Sequence, residues 1–571
     1  MLTDALSTRL PATWVQRGLL ALVLLLALWG FGSGLGGMPL LDDPNEAEYA
    51  EVARGMVQSG DWLTPRLNDA VFLNKPPLTY WLIGLGDRVF GIGEFAARLP
   101  SAVAATVIVV LIMRLGTLAF DIESGLLAGA IVFASPGFFI EAHESRPDLL
   151  MTVGIVGAML ALQRLRASQG GVGTSLIGWQ LALATAVLAK GLPGVVLPAL
   201  TVLVLLAVER RSDLVRRLLS PSAWWLFVLI MAPWPLWMGY RHPGFLWDYL
   251  VNQHLLFFFD RKVPRDSVPV SLVQFWGAFA IRLFPWTLIL PLAIVTAARR
   301  AGRAQGAGER LVLVWLGVVL LFFSAAASRM EHYSIPALPA AALILAKLFR
   351  DYASGRGIGP QRVVTVHVWA TFFVLLLGIV AVPRGLELEP WLAGVPAFHS
   401  LARTICAILA AGSGAAAVAA LVGRRGWVVP ALVGSFALTT PLVISGLAVY
   451  AQMNSSSALA QVLVAVSDPG EPVVFEAPVE YQTCAGLNFY TRRKLLLLRH
   501  RDFVPPPYLQ TSVAELFMER ADLESLWRQQ RLFLVTDPLR PRDVLDGTVP
   551  QPRYVVGRDR ARWVLTNQPL R

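Results

Sequence analysis

The sequence predicts a polytopic α-helical membrane protein with a small α/β domain after its last span. The chain has 571 residues, of which 55% are hydrophobic and only 15% are charged. Its mean hydropathy is +0.58, a composition that suits hydrocarbon better than it suits a set of soluble domains. Long apolar stretches before residue 451 and mixed strand and helix patterns after it complete the observations behind this prediction.

The apolar stretches set the expected number of spans. A helix needs about 20 mainly apolar residues to cross a bilayer. Thirteen stretches have nearly that length, so we expect about thirteen transmembrane helices. They lie at residues 18–37, 97–120, 123–140, 148–166, 175–190, 192–209, 222–240, 272–297, 311–327, 333–349, 362–383, 402–421 and 428–450.

The distribution of charge predicts the orientation. Basic residues concentrate in alternate connections, such as those containing Arg210, Arg211, Arg299 and Arg300, whereas the other connections are acidic. Cytoplasmic loops carry the excess of Lys and Arg. We therefore expect a cytoplasmic N-terminus, an uncleaved first helix and a tail on the opposite face. The formal charge of +11 follows from this topology and requires no nucleic-acid partner.

The first outer loop, residues 38–96, is much longer than a turn between helices requires, and long loops often carry function. Residues 47–57 have the apolar spacing of a surface helix, and residues 78–90 are expected to form a second short helix. Crowded carboxylates beside a low-dielectric boundary are candidates for a general base or a metal site, although a solvated acidic loop has the same composition. These carboxylates are Asp42, Asp43, Glu46, Glu48 and Glu51.

Polar residues also gather in three other outer connections. Charged groups placed against hydrocarbon are costly, so their gathering on one membrane face indicates a functional site. Arg and Lys can hold a phosphate, a carboxylate can deprotonate a hydroxyl, and nearby apolar residues can hold a lipid tail. The pattern therefore favours group transfer from a lipid phosphate. The residues are His143, Glu144, Arg146 and Asp148; His254, Asp260, Arg261, Lys262 and Arg265; and Ser328, Arg329, Glu331, His332 and Tyr333.

The tail, residues 452–571, alternates strand-like and helical segments, which predicts a small α/β domain. Expected strands lie at 472–475, 495–498, 532–535 and 554–556, and expected helices lie at 513–520 and 523–530. The sequence contains no Walker loop, nucleotide-binding glycine motif or metal-finger spacing. The energy for a reaction must then come from the substrate itself.

Several motifs resemble those of the bacterial aminoarabinose transferase group, which is related to the protein O-mannosyltransferases and has the GT-C fold. The similar segments cover residues 15–350 well. They are Asp-Pro-Asn-Glu-Ala-Glu-Tyr-Ala-Glu at 43–51, Gly-Asp-Trp-Leu-Thr-Pro-Arg-Leu-Asn at 60–68, Lys-Pro-Pro-Leu-Thr-Tyr-Trp at 75–81, Ala-Arg-Leu-Pro-Ser at 97–101, Arg-Pro-Asp at 146–148, Lys-Gly-Leu-Pro-Gly at 190–194 and Ser-Arg-Met-Glu-His-Tyr-Ser-Ile-Pro at 328–336.

This resemblance implies an inverting glycosyltransferase of the bacterial inner membrane. Its donor would be a sugar on polyprenyl (undecaprenyl) phosphate, and its acceptor would be lipid A or a related outer-leaflet lipid or glycan. It also implies a transmembrane GT-C domain at 1–451, with its catalytic motif in the loop at 38–96, and a periplasmic domain at 452–571.

Site residues carry over by position in the motifs. The resemblance places Glu46 and Asp148 as catalytic carboxylates and His254 near a divalent metal, and Asp43 is a further candidate carboxylate close to Glu46 in the sequence. Asn45, Glu48, Asn74 and Phe257 depart from the group's pattern, which leaves the metal and the sugar open. The residues expected to bind donor phosphate or substrate are Tyr49, Arg66, Lys75, Tyr80, Arg146, Arg261, Lys262, Arg329 and Tyr333.

Alternatives stay open at the level of function and of single residues. A GT-C enzyme that modifies protein or polysaccharide would share these motifs, and a lipid-sugar flippase is the competing class without catalysis. A transporter should place its polar groups near mid-membrane and often shows repeats, whereas here they lie at one face. Lys75 could be a snorkelling lysine, His254 a structural histidine, and Tyr333 an aromatic anchor.

Overall fold

The computed structural model divides the chain into two compact units, which are described separately. The first unit comprises residues up to 34, 101–231 and 270–447, and the second comprises 35–100, 232–269 and 448 onwards. The structure describes residues 12–42, 46–167, 172–265, 268–355, 361–388, 395–476, 481–499, 503–536, 549–559 and 562–570.

The first unit is helical and crosses the membrane several times. Among the described residues, nine helices are long and apolar enough to span a bilayer, or eleven if each of two bent pairs is one span. The multi-pass prediction is confirmed, while the expected count of thirteen is not. The nine helices are Val15–Gly32, Glu94–Ala119, Asp148–Ala167, Val172–Lys190, Ala307–Ala325, Glu331–Ser354, Gln361–Leu388, Pro396–Leu421 and Arg425–Met453.

Bends within two of the predicted spans account for part of the lower count. The predicted span 123–140 consists of Ile122–Phe133 and Pro136–Ala142, which meet at 61°, and the span 272–297 consists of Leu272–Arg282 and Trp286–Ala301, which meet at 106°. A proline lies at or beside each break, Pro136 in the first and Pro285 in the second. Because proline lacks the N–H of a helical hydrogen bond, it interrupts the helix there. Shorter helices of this unit are Pro193–Glu209, Ser212–Leu219 and Trp225–Met231.

Small residues allow two of the spans to pack closely. Helix Asp148–Ala167 lies against Val172–Lys190, and a Cβ added at Gly154 would stand 2.4 Å from the carbonyl oxygen of Ala182. Glycine at such a contact lets two helix backbones approach. This contact helps to hold together the two helices that carry Asp148 and Lys190, which form an ion pair in the candidate site.

The second unit combines the first loop with the tail. Both loop helices predicted from the sequence are present, as Glu46–Ser59 and Leu78–Phe90. Between them, β1 (Arg66–Leu67) and β2 (Ala70–Val71) form a short antiparallel hairpin. Further helices of this unit are Pro233–Arg241, Phe245–Trp247, Ser457–Val466, Ala485–Thr491, Val513–Leu516 and Arg520–Gln529, together with the π-helix Asp248–Leu256.

The tail contains a six-stranded sheet, which confirms the predicted small α/β domain and adds two strands to the four expected from the sequence. The strand order is β5-β4-β3-β6-β8-β7; β3 to β6 are parallel, and β8 and β7 form an antiparallel edge. The segment predicted as helix 513–520 contains β5 instead of a continuous helix. The strands are β3 (Val473–Glu476), β4 (Leu496–Leu498), β5 (Phe517–Met518), β6 (Phe533–Val535), β7 (Tyr554–Arg558) and β8 (Trp563–Thr566).

The loop and the tail share one hydrophobic core within this unit. Phe72 of the loop packs edge-on against Tyr481 at 6.3 Å between ring centroids. The Asn68 side chain donates to the Leu495 carbonyl at 2.9 Å and accepts from the Leu495 N–H at 2.8 Å. The first loop is therefore held by apolar packing and by backbone recognition from the tail.

The close contact at Gly154 gives a prediction for stability. Gly154→Ala forces a Cβ against a backbone carbonyl, so we expect a loss of about 1–3 kcal/mol, as for an overpacked core. Gly178→Ala is the matched control, because its added Cβ would meet nothing closer than 3.9 Å. Thermal unfolding of the purified protein in detergent should show a lower midpoint for Gly154→Ala alone; equal midpoints would contradict this packing argument.

Candidate functional site

The first-loop carboxylates lie at the start of helix Glu46–Ser59. Glu46 and Glu48 occupy its first turn, where the partial positive charge of the helix terminus favours negative side chains. Glu46, Glu48 and Glu51 are all buried, so the solvated-loop alternative does not describe them. The predicted catalytic residue Asp43 and the neighbouring Asn45 lie outside the described residues.

Glu46 is buried and forms an ion pair with Arg98. Its carboxylate accepts from Arg98 Nε at 2.7 Å and from Arg98 Nη2 at 2.8 Å, and it also accepts from the Leu41 N–H at 2.9 Å. The side chain of Glu46 has no exposed surface. Arg98 also donates to three carbonyls, those of Leu35, Met38 and Pro39. This geometry favours a role for Glu46 in positioning the loop over a role as a proton acceptor.

Tyr49 and Tyr80 form a buried stack beside this helix. Their ring centroids are 5.7 Å apart at 27°. The Tyr80 hydroxyl is buried and has no hydrogen-bond partner among the described residues, and its burial, with Glu48 nearby, raises the pKa of Tyr80 well above its usual value. A buried donor without an acceptor is rare in folded proteins. Tyr80 thus offers an unused donor, as a substrate-binding role requires.

Lys75, His254 and Lys262 form a cationic group in the same unit. His254 lies on the π-helix Asp248–Leu256, a type of helix that often occurs at functional sites. Burial and the neighbouring Lys75 and Lys262 ammonium groups lower the pKa of His254 to about 4, so the imidazole is neutral at pH 7. Two lysines beside a neutral donor suit a phosphate.

Two further arginines predicted to bind phosphate are exposed in the same unit. Arg261 precedes Lys262 in the chain, and Arg66 lies on β1, where Arg66 Nη1 donates to the Asp69 carbonyl at 3.1 Å. Their roles stay predictions from the resemblance.

The predicted metal role of His254 does not fit the residues around it. His254 Nδ1 is hydrogen-bonded to the Tyr249 carbonyl, and its charged neighbours are the cations Lys75 and Lys262. Throughout the described parts of the chain, no three His, Cys, Asp or Glu residues form a group that could hold a metal. Divalent ions prefer anionic oxygen or neutral nitrogen ligands to cations. The residues at His254 are suited to an anion.

The first unit contains a second polar cluster, centred on Asp148. Asp148 is 2% exposed and forms an ion pair with Lys190 through Oδ1. Lys190 Nζ also stands 4.8 Å from the ring centre of Tyr333, and Arg146 contributes a favourable charge interaction to Asp148. The structure therefore brings together the predicted residues Asp148, Arg146 and Tyr333.

Two members of this cluster are not among the site residues predicted from the sequence. They are Lys190, which lies in the Lys-Gly-Leu-Pro-Gly motif, and Glu141. Arg146 lies 3.1 Å from Glu144 and 3.9 Å from Glu141, and the buried Glu141 Oε2 has no hydrogen-bond partner among the described residues. A signal for both existed, since each is a charge at the end of an apolar run.

Arg329 lies in the same unit and is held by backbone carbonyls. Its Nη1 donates to the Val270 carbonyl at 3.2 Å and its Nη2 to the Ser324 carbonyl at 3.3 Å. The Arg329 Nε is buried and has no acceptor within the described residues. A guanidinium with neutral partners and an unused N–H keeps its charge available for an anion.

Asp42, the last described residue before Asp43, has a carboxyl group with a shifted pKa. Burial raises its pKa to about 7, which a hydrogen bond from Ser456 opposes in part. Its Oδ1 has no partner in the described chain and faces Gly486, where an added Cβ would stand 1.8 Å away. A larger residue at 486 would displace this carboxyl group.

The Glu46–Arg98 pair predicts a loss of stability on substitution. Glu46→Gln removes the charge that neutralises a buried arginine, and breaking such a pair costs about 3–5 kcal/mol. Thermal unfolding in detergent should show a much lower midpoint for Glu46→Gln than for Glu524→Gln, which changes an exposed glutamate of the same unit. A stable Glu46→Gln protein that lacks transferase activity would instead favour the catalytic role.

The raised pKa of Asp42 predicts a dependence of stability on pH. The unfolded chain releases this proton near pH 3.8 and the folded chain near pH 7, so the folded state loses stability as pH rises from about 4 to about 7. Asp42→Asn should flatten that part of the curve of unfolding midpoint against pH. Asp69→Asn, at an exposed position, should follow the wild type; an unchanged slope for Asp42→Asn would refute the assignment.

Comparisons with known proteins support the resemblance. The family model for dolichyl-phosphate-mannose-protein mannosyltransferase matches residues 74–237. The undecaprenyl phosphate-alpha-4-amino-4-deoxy-L-arabinose arabinosyl transferase of Erwinia tasmaniensis is 29% identical over 53% of this chain and 54% of the relative. The Yersinia pestis protein of the same name is 28% identical over 55% of this chain and 56% of that relative. The chain spans about half the length of these relatives.

The fold is similar to that of solved membrane proteins. ArnT from Cupriavidus metallidurans bound to undecaprenyl phosphate matches with a TM-score of 0.83 and 22% identity, covering 96% of this chain and 98% of ArnT. The oligosaccharyltransferase AglB from Archaeoglobus fulgidus matches with a TM-score of 0.52 and 11% identity, covering 92% of this chain and 70% of AglB. The resemblance to the aminoarabinose transferase group is therefore confirmed, and the chain has the GT-C fold.

Proposed function

We propose that the chain is an inverting membrane glycosyltransferase that moves a sugar from a polyprenyl phosphate to the hydroxyl of a lipid or glycan acceptor. The observation that carries this proposal is the buried cluster of Asp148, Lys190 and Tyr333 in a membrane-spanning unit. Buried ionisable groups in such a unit indicate function. The names of the similar proteins, which refer to undecaprenyl phosphate sugars, supply the donor class.

Phosphate binding is supported by cationic side chains in each of the two units. Arg329 presents a buried Nε without an acceptor among the described residues, and in the second unit Lys75 and Lys262 lie beside a neutral His254. Each arrangement holds positive charge that a sugar phosphate can neutralise. As the donor reacts, a cation placed beside the phosphate stabilises it as it leaves.

The transfer itself needs one bond formed and one broken. The acceptor hydroxyl oxygen attacks the anomeric carbon from the face opposite the phosphate, and the bond between that carbon and the phosphate oxygen breaks. The electron pair leaves with the polyprenyl phosphate, and the hydroxyl proton passes to a carboxylate. A single in-line displacement inverts the anomeric configuration. The sugar phosphate bond supplies the driving force, so no nucleotide is needed.

Asp148 is the carboxylate best suited to accept that proton. Lys190 engages its Oδ1, and Oδ2 accepts no hydrogen bond from the described residues. In Glu46, by contrast, both oxygens accept from Arg98, so we assign Glu46 to positioning. Asp43, which lies outside the described residues, stays a second candidate for the base.

Orientation and acceptor are parts of the same proposal. With the N-terminus in the cytoplasm, the acidic connections and the tail lie in the periplasm, and the reaction takes place at the outer face of the bacterial inner membrane. The arabinosyl transferase names favour a lipid acceptor such as lipid A. The mannosyltransferase family model keeps a protein or polysaccharide acceptor as the alternative to be tested.

The decisive assay measures transfer from a radiolabelled panel of polyprenyl phosphate sugars to lipid A, protein and glycan by the purified chain. Asp148→Asn should lower turnover about 10²–10⁴-fold, the usual contribution of a general base. Asp213→Asn, at an exposed aspartate of the same unit, should leave turnover unchanged.

Other outcomes of this assay have clear meanings. Label in lipid A supports the lipid acceptor, and label in protein or glycan assigns the chain to another GT-C activity. If no donor is consumed while labelled lipid crosses reconstituted bilayers, the chain is a transporter and the proposal is wrong. Full activity of Asp148→Asn would remove Asp148 from the role of base.

A further inference from the structure

A cavity of about 600 Å³ in the first unit is lined by arginines that the proposed reaction does not use. It lies where helices Asp148–Ala167, Pro193–Glu209 and Leu290–Ala301 end and helix Ala307–Ala325 begins. Arg166 lies in this cavity, eighteen positions along a continuous helix from Asp148, or about 27 Å at the helical rise. The cavity is therefore at the opposite membrane face from the Asp148 cluster.

The charge of this cavity favours an anion. Four guanidinium groups, those of Arg166, Arg211, Arg303 and Arg310, line it together with the single carboxylate of Glu209. Glu209 pairs with both Arg166 and Arg310, while Asp213 beside the cavity pairs with Arg211. Four positive charges against two negative ones leave an excess of two. Arg303 forms no ion pair with the described residues.

The turn that carries Arg303 is held in place by its neighbours. Arg310 Nη1 donates to the carbonyls of Ala301 at 2.7 Å and of Arg303 at 3.0 Å. The Gly306 N–H also donates to the Arg303 carbonyl at 3.0 Å. An added Cβ at Gly306 would stand 2.1 Å from the Arg300 carbonyl oxygen, so the turn requires glycine there. Arg303 is thus presented at the cavity by a fixed backbone.

The wall of the cavity is partly apolar and open. Val208 lines it and is 58% exposed, at the end of an apolar helix. A basic pocket between membrane helices, with apolar surface at its edge, is the usual arrangement for an anionic lipid headgroup. The volume also lies in the range of small-molecule sites.

We propose that this cavity binds the phosphate of an anionic phospholipid headgroup in the leaflet opposite the proposed reaction. Arg303 would contact the phosphate directly, while Arg166 and Arg310 hold the site together through Glu209. The acyl chains would leave past Val208. The proposal concerns a site separate from the transferase chemistry and does not rest on it.

The test compares lipid retention by the full-length protein in native mass spectrometry. The probes are phosphatidylglycerol and phosphatidylcholine with the same acyl chains, so the two lipids differ in net charge and headgroup alone. Wild type should retain phosphatidylglycerol in preference. Arg303→Gln should weaken that retention about fivefold, the contribution expected from one arginine beside an anionic headgroup.

Arg299→Gln is the matched control, since Arg299 is exposed near the same turn and does not line the cavity. It should retain phosphatidylglycerol as wild type does. Equal weakening by Arg299→Gln and Arg303→Gln would mean that the basic face attracts the lipid without a site, and would overturn the proposal. Inorganic phosphate is added as a competitor. If it displaces phosphatidylglycerol to the same extent from wild type and from Arg299→Gln, the ligand is a soluble anion and the proposed lipid ligand is wrong.

Discussion

One arginine fixes the start of the first outer loop, and the geometry of that loop depends on it. Arg98 binds both oxygens of Glu46 and the three backbone carbonyls of Leu35, Met38 and Pro39. Glu46 in turn accepts from the Leu41 N–H, and the Asp42 N–H donates to Asn454 of the tail at 3.0 Å. A planar guanidinium with five donors is suited to such a junction, where lysine could not satisfy as many partners.

This arrangement explains why a long loop can be ordered without disulfides. The described cysteines, Cys406 and Cys484, are both free. Apolar contacts such as Phe72 with Tyr481, and the recognition of Leu495 by Asn68, supply the ordering. Burial of these aromatic and aliphatic groups stabilises the loop by removing their surface from water. The polar pair at Arg98 then selects one geometry from those that packing alone would allow.

The sequence could predict elements whose pattern is local. The loop helices Glu46–Ser59 and Leu78–Phe90 and the strands β3, β4, β6 and β7 follow from periodicity and turn residues. Strand order is different, because β6 pairs with β3 across about sixty residues, and no local signal encodes such a pairing. A window of apolar residues likewise reports composition and does not show whether the helix is continuous. The sequence therefore predicts one span at 272–297, although the helix bends near Phe284-Pro285.

The same distinction applies to the site. Residue type and spacing identified Asp148, Arg146, Arg329 and Tyr333, since each is a polar group at an apolar boundary. They could not rank the carboxylates, because proton acceptance depends on which oxygen atoms are already engaged. Glu46 and Asp148 are both carboxylates within motifs, yet Arg98 binds both oxygens of Glu46 and Lys190 binds one oxygen of Asp148.

A general base needs an oxygen within reach of the acceptor, and the cost of leaving a buried arginine unpaired also opposes this role for Glu46. Neutralising Glu46 leaves the buried Arg98 guanidinium without a counter-charge. Glu46 therefore cannot take up a proton without disturbing the loop. Asp148 lies at the first position of a helix and keeps Oδ2 available, while Lys190 holds the carboxylate in place. A fixed carboxylate with one oxygen available is the arrangement that general-base catalysis requires. The partners of each carboxylate, more than its place in a motif, are therefore the reason why we propose Asp148 as the base and Glu46 as a positioning residue.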